Sequence, residues 1–483
     1  MTGGIALGGA AALPARGRAR TADAAGAPIP VMPSLTAYIA DARGSNVPEA
    51  IRDRARLHLL DTLASIIACR DLEAATLGRR YARLASGGAS ASSTILGSRE
   101  RAGIIDAVFA GAMTGHGAEI NDFIPSAYVQ PGPSIVSAVL ALAEARGLAG
   151  RAALDAIIVG YELAGRIPKA IGTQNLQKAA LANHGIGPVF GTGAAAASAL
   201  GMNAAQVNHV LSYCAQQASG SWQWMLDVRH VEKSFVFAGM GARNGLQAAL
   251  MVEQGFTGVP DSFDVTGGWL RMSAFTGSDA DRTYLIEDLG RRFELTEAAF
   301  KRYPSGGPTQ PAVQAMLELC KQVRADAVTR IRIEMPGRAA TFRDAAMPAL
   351  NLPYLASIIF LDRKLDFVAA QSLDRMHGDP AVAAFRKRVE VTHDPAQEAA
   401  PGTPRTESAR VILERRDGPA LERFVPYVRG FPSHPMSRAD VEAKVSELIE
   451  PALGAVRTRE LIARTSSIDE AGDLNKLIEL MRV

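Results

Sequence analysis

Residues 188–202 read PVFGTGAAAASALGM, and the reading of this stretch decides the fold. It carries no charge, yet Ala, Gly and Ser dominate it, which is weakly apolar for a lipid-facing span of about 20 residues. Small residues at that density suit a helix whose backbone lies close against other helices inside a protein. Gly185-x-Gly187, followed by Gly191 and Gly193, imitates a glycine-rich nucleotide loop. No strand precedes it and the spacing departs from GxGxxG, so close helix packing is the preferred reading.

Outward from this stretch the pattern stays helical, from Ser34 to about Gly255. In Ile51–Ala68, the apolar residues Leu57, Leu60, Leu63, Ala64 and Ile67 recur at helical spacing. Ile135–Ala145, Ala152–Arg166, Ala204–Ala218 and Gly239–Gln254 read the same way. Several of these segments are apolar nearly all round, as in the interior of a large helical domain. Glycines at 147, 150, 201 and 255 punctuate their ends.

The texture changes after about Ser273. Val328–Met335 alternates apolar with charged residues as a half-buried strand does, and Arg388–His393 is a second candidate. Arg410–Glu414 and Leu421–Val425 flank Asp417-Gly418, a pair suited to a type I′ hairpin turn. Helices at Pro311–Arg324 and Pro353–Leu361 interleave with these strands. Beyond Tyr427, Ser437–Leu453 and Asp469–Met481 return to helical spacing, with Ser437 and Asp440 placed as a capping box. The expected fold is mainly α with an inserted α+β domain. Residues 34–272 and 428–483 form the all-helical domain, and 273–427 an α+β lid.

Residues 1–33 stand apart as a disordered extension or a signal remnant. Met1–Leu13 has the length of a signal-peptide apolar region and small residues follow it, but nothing basic precedes it. An extension implies a cytoplasmic protein; the remnant of a twin-arginine signal implies a periplasmic one.

The composition narrows the function. Of 483 residues, 48% are hydrophobic and 21% charged, which suits a large soluble core. The net charge is +3 with no basic block, so nucleic acid is not an expected partner, and no membrane span is expected either. Three widely spaced cysteines, Cys69, Cys214 and Cys320, rule out a disulfide framework and a CxxC zinc site. There is no GxxxxGK[ST] loop, no HExxH, and no GxSxG in a strand–turn–helix context. His116 and Glu119 are spaced to share a helical face, but two ligands do not define a metal site, and none is expected.

Four clusters of ionisable residues stand in apolar or glycine-rich surroundings. They are His116-Gly-Ala-Glu119-Ile-Asn-Asp122, Asn183-His184-Gly185, Arg229-His230-Val-Glu232-Lys233, and Lys301-Arg302-Tyr303-Pro304 with Gly306-Gly307-Pro308. Singly, each has a structural explanation, as a capped histidine or a solvated charge pair. Together, lysines and arginines that bind carboxylates and a His with a carboxylate that move protons suggest a site for a small polycarboxylate.

These stretches resemble the MmgE/PrpD family of 2-methylcitrate dehydratases and cis-aconitate decarboxylases. Five match in order: Leu59-Leu60-Asp61-Thr62-Leu63; His116 to Phe123, like the family's HAxDFDD; Asn183-His184 leading into Gly191-Thr-Gly-Ala-Ala-Ala; Lys233 leading to Ala238-Gly239 and Asn244-Gly245; and Lys301-Arg-Tyr-Pro with Gly306-Gly-Pro-Thr-Gln310. Pro435-Met436-Ser437-Arg438, followed by Lys444, is similar to the closing helix. The resemblance implies the same two-domain fold, a homodimer, and a site at the domain junction that needs no cofactor. It also implies proton transfer next to a carboxylate, leading to dehydration, decarboxylation or epimerisation. By position, Glu119 matches an active-site aspartate, His184 the second active-site histidine, and Lys233 and Lys301 the two lysines.

The chain departs from the family pattern at three places. Gln130-Pro131-Gly132 stands where a histidine is usual, Phe123 where a threonine is, and Gly306 where decarboxylases carry a histidine. An amide cannot exchange a proton usefully, so Gln130 can only orient substrate or water. The resulting expectation has His184 as base or acid, with its unperturbed pKa near 6.5 suited to the task. Glu119 is a second acid or holds that imidazole, and Lys233 and Lys301 bind the substrate and its enediolate-like intermediate. Gln130, Tyr303, Arg302 and His116 complete the binding set. Dehydration of a 2-methylcitrate-like hydroxy acid is the expected reaction. Epimerisation, decarboxylation and a catalytically silent carboxylate-binding homodimer are the alternatives.

Overall fold

Most of the small-residue stretch falls inside a helix whose glycines lie close against neighbouring helices. The computed structural model describes residues 29–87, 92–400 and 407–483. Seven principal helices build the larger unit: α1 (Glu49–Cys69), α2 (Ile104–Gly115), α3 (Gly132–Arg146), α4 (Gly150–Ile171), α5 (Asn183–Ala199), α6 (Ala204–Gln217) and α7 (Met240–Glu253). Every residue of α5 is buried. A Cβ on Gly191 would lie 2.8 Å from the Gly160 carbonyl oxygen of α4, and one on Gly193 would lie 2.4 Å from Cys214 Sγ of α6. The glycines therefore admit neighbouring helices to contact distance, as expected of them.

The smaller unit has its own core. Helices α8 (Gln310–Leu319) and α9 (Leu352–Asp362) pack with a sheet of β1 (Val328–Met335), β2 (Val389–His393), β3 (Ala409–Arg415) and β4 (Leu421–Val425). The strand order is β2-β1-β3-β4, with β2 parallel to β1 and the other pairs antiparallel. Ile331, Ile333 and Met335 of β1 point inward while the charged residues between them are half-buried, which is the alternation the sequence shows. The β3–β4 hairpin pairs Leu413 with Leu421, so its loop is longer than the expected two-residue turn. The chain closes with α10 (Arg438–Ser466), kinked at Gly454. Its Val441, Val445, Ile449 and Leu461 enter the helical core, and Lys444 Nζ donates to Asp61 Oδ1 of α1 at 2.5 Å. The molecule is thus mainly α, with a smaller α+β unit.

Two boundaries shift. Phe275, Leu285, Phe293 and Leu295 belong to the helical core, so the chain from 273 to about 300 packs with the larger unit. The change of texture there marks a run of short 3₁₀ turns, which lose the helical period without leaving the core. At the other end Val428 and Phe431 join the α+β core. Residues 1–28, which hold most of the expected extension, lie outside the described residues. Val31 and Met32 are fully buried, and their N–H groups donate to Asp264 at 3.0 and 2.9 Å, so the body begins before residue 34. Among the described residues, no helix is long and apolar enough to cross a membrane.

Candidate active site

A cavity of about 430 Å³ opens where the helical body meets the α+β unit. Three backbone devices deliver charged groups to it. Helix α2 ends at Gly115, with His116 as its C-cap, and the chain then turns through residues 117–122, which present Glu119. His116 and Glu119 therefore do not share a helical face as their spacing suggested. A second device precedes α7, where a short turn (Val231–Ser234) runs into a π-helical segment, Phe235–Gly239. Such insertions are frequent at functional sites. Its N-cap, His230, sits in the left-handed region at φ 60°, a conformation uncommon for any residue but glycine. The third is the junction between the units, where Ala299 bridges to Phe123 and Lys301 follows two residues on.

Glu119 lies at the centre. Its Oε1 accepts from Lys233 Nζ and stands 3.2 Å from His230 Nε2, while Oε2 is 3.2 Å from Lys301 Nζ. Lys301 Nζ also donates to Gln130 Oε1 at 3.0 Å. All five groups are buried. Burial alone would raise the Glu119 carboxyl, but Lys233, Lys301 and the His230 bond outweigh it and hold it well below the usual carboxylate range. Burial lowers Lys301, and Lys233 adds to this, against the pull of Glu119. An ionised Glu119 only accepts, so a neutral His230 carries its proton on Nε2, and Nδ1 faces Ser234 Oγ at 3.1 Å.

His184 enters from the first turn of α5. Its ring stacks on Phe237 at 3.9 Å and meets the edges of Trp222 and Trp224. Burial, with Lys233 nearby, pushes its pKa down to about 3, so the expectation of an unperturbed imidazole does not hold. Nor does Glu119 orient this ring, since its imidazole partner is His230.

The structure brings Glu119, Gln130, His184, Lys233 and Lys301 together on the cavity. His116 stands behind it, its ring 5.1 Å from that of His230 and 4.7 Å from that of Phe237. Neither of its nitrogens has a partner, and burial holds it well below the ordinary histidine range. Arg302 points away to an ion pair with Glu447 at 3.0 Å. Tyr303 packs against the α+β core, and neither of the two lines the cavity. Sequence reasoning placed His230 in a cluster without giving it a role, and passed over the aromatic wall of Trp222, Trp224 and Phe237. The signal was present: two of the chain's three tryptophans stand two residues apart, just ahead of the His230–Lys233 cluster. Among the described residues no group of three or more His, Cys, Asp or Glu is placed to hold a metal ion.

Comparison with known proteins identifies the family. The model of the MmgE/PrpD N-terminal domain matches residues 33–282, and that of the MmgE/PrpD C-terminal domain matches residues 303–468. The cis-aconitate decarboxylase-like protein oryM of Aspergillus oryzae (strain ATCC 42149 / RIB 40) is 24% identical over 399 residues. That match covers 75% of this chain and 79% of the relative. These similarities support a function of lyase type. With both domains matched and their junction carrying the buried lysine pair, the chain belongs to the MmgE/PrpD family.

Proposed function

We propose that this chain, acting as a homodimer, is a cofactor-independent lyase that dehydrates a 2-methylcitrate-like hydroxy polycarboxylate. One observation carries the reading. Two buried lysines face a single carboxylate at the wall of a cavity, which leaves that cluster short of negative charge. A substrate carboxylate supplies that charge, and the same lysines stabilise the enediolate-like intermediate as the α-proton leaves.

The pKa shifts distribute the roles. His184 is neutral in the empty site and free to accept a proton, though weakly basic. A bound polyanion favours the imidazolium, so the base strengthens when substrate arrives. Glu119, held ionised, does not serve as the acid; it fixes both lysines and His230. Lys301, whose pKa burial lowers, is the better proton donor for the leaving hydroxyl, and Gln130 orients it. The α-proton passes to His184, the hydroxyl leaves as water with the Lys301 proton, and a carbon–carbon double bond forms. Decarboxylation is the second reading, favoured by the relative's name.

The test is incubation in D₂O with citrate, 2-methylcitrate, cis-aconitate and an imino-diacid, followed by ultraviolet absorbance, carbon dioxide and deuterium content. The expected result is an unsaturated, ultraviolet-absorbing acid. His184→Asn should slow its formation at least about a hundredfold, and His116→Asn should cost less. Carbon dioxide release would replace dehydration with decarboxylation, and deuterium uptake without net loss of water would indicate an epimerase. Binding without exchange on any acid would leave the silent homodimer.

A further inference from the structure

We infer that the substrate carries an apolar arm of several carbons in addition to its carboxylates, an inference that rests on the polycarboxylate reading above. The cavity, about 430 Å³, falls in the range of about 300–1,000 Å³ typical of pockets for drug-sized ligands. Both of its lysines meet in one linked cluster on the helical side: Lys301 touches both Gln130 and Glu119, and Glu119 touches Lys233. The walls beyond that cluster are of a different kind. Trp222, Trp224 and Phe237 stand on the helical side, and Phe342, Met347 and Leu350 face them from the α+β unit.

A carboxylate laid against these rings and aliphatic chains would lose its water without gaining donors, a cost of several kcal/mol in an apolar setting. On the α+β side the lining also carries one cation, Arg338, but the two acids Glu398 and Glu407 outnumber it. The glycines at 306 and 307 keep this wall thin, and a Cβ on Gly306 would lie 2.3 Å from Leu350 Cδ2. Against Trp222, Trp224, Phe237, Phe342, Met347 and Leu350 a hydrocarbon arm fits better than a third carboxylate. It would release water from the aromatic and aliphatic walls while the carboxylates stay on the lysines.

The experiment is calorimetric titration of the full chain with citrate and with citrates bearing methyl, butyl and hexyl groups on one methylene carbon. Affinity should rise roughly threefold to fourfold per added methylene through the first several carbons. Leu350→Gln, which places an amide on the apolar wall at a part-exposed position, should shrink that gain. Citrate binding with no gain along the series would overturn the inference and leave the polycarboxylate reading standing. So would a gain that Leu350→Gln leaves unchanged, since it would not come from this wall. If no acid of the series binds, the polycarboxylate reading itself falls, and the inference with it.

Discussion

Two of the molecule's charge clusters make an instructive pair, one packed around Arg166 and the other facing a cavity. In the closed cluster, each of the three side-chain nitrogens of Arg166 of α4 has a partner. Its Nε donates to Glu162 at 2.8 Å, Nη1 to the carbonyls of Tyr284 and Glu287 at 2.8 Å each, and Nη2 to that of Arg292 at 3.0 Å. Lys169 joins Glu294 and Glu297, and the Glu294 N–H returns to Glu162. Three carboxylates there stand against two cations, an excess of negative charge. The open cluster has the opposite imbalance, with Lys233 and Lys301 against Glu119. Both imbalances displace pKa values, yet the means of relief differ. The open cluster lines a cavity with room for an organic anion, whereas the closed one meets solvent at Glu297, whose side chain is 40% exposed. Burial and charge alone do not mark a functional site; an imbalance beside unfilled space does.

The largest expected effect tests the closed cluster. Arg166→Met removes one partner of a buried pair and strands three loop carbonyls, so it should cost about 3–5 kcal/mol of stability. Urea denaturation with the midpoint and slope measured separately reads this directly. A loss under about 1 kcal/mol would mean that the Tyr284–Arg292 segment holds itself, and the contrast with the open cluster would fail.

The next effect is smaller in energy and opposite in kind. Lys301→Met or Lys233→Met should weaken polycarboxylate binding by roughly 1.5–3 kcal/mol, the worth of a charge-assisted hydrogen bond. The urea midpoint should hold or rise, because Glu119 keeps the remaining lysine and His230 as partners. A stability loss as large as that of Arg166→Met would make the open cluster structural. Unchanged affinity for every acid would remove the lysines from the site.

Much of this contrast was legible in the sequence, and the reasons for the exceptions are physical. Helical spacing located α1, α3, α4, α6 and α7, and strict alternation located β1, because each period is set by the backbone, while α5 showed itself by its density of small residues. The lysines and Glu119 stood out as charges in apolar surroundings. Arg302 did too, but it follows Lys301 on a non-helical segment, where successive side chains tend to opposite faces, and so points to Glu447. His230 was hidden because its role depends on a left-handed turn and on Glu119 arriving from 111 residues away. The depressed pKa of His184 was hidden for a similar reason, since it comes from burial against Phe237 and from Lys233, which only folding supplies.

The smallest effect asks whether a proton is in fact the balancing ion of the closed cluster. Burial, with Glu294 repelling, pushes the Glu162 carboxyl up to about 7, although Arg166 opposes the shift. The folded state then holds a proton that the unfolded chain has already lost, in the window from an ordinary carboxylate pKa up to about 7. Stability from this group is therefore full below that window, falls as pH rises through it, and is flat above. Between about pH 6 and pH 8 the loss is roughly 1 kcal/mol, since one pKa unit corresponds to about 1.4 kcal/mol. The raw profile will not show it cleanly. His58, His116, His184 and His230 are all pushed down by burial, so the folded state binds fewer protons there, and stability rises with pH toward about 6.5. Glu119 contributes only at much lower pH, because its lysines hold it ionised. The difference between the wild-type chain and Glu162→Gln isolates the term, as the amide keeps the shape and carries no titrating proton. Urea midpoints across this range should diverge, with the wild-type chain losing stability toward pH 8 relative to the variant. Parallel curves would mean that Glu162 stays ionised, that Arg166 and Lys169 balance three full negative charges, and that the closed cluster needs no proton.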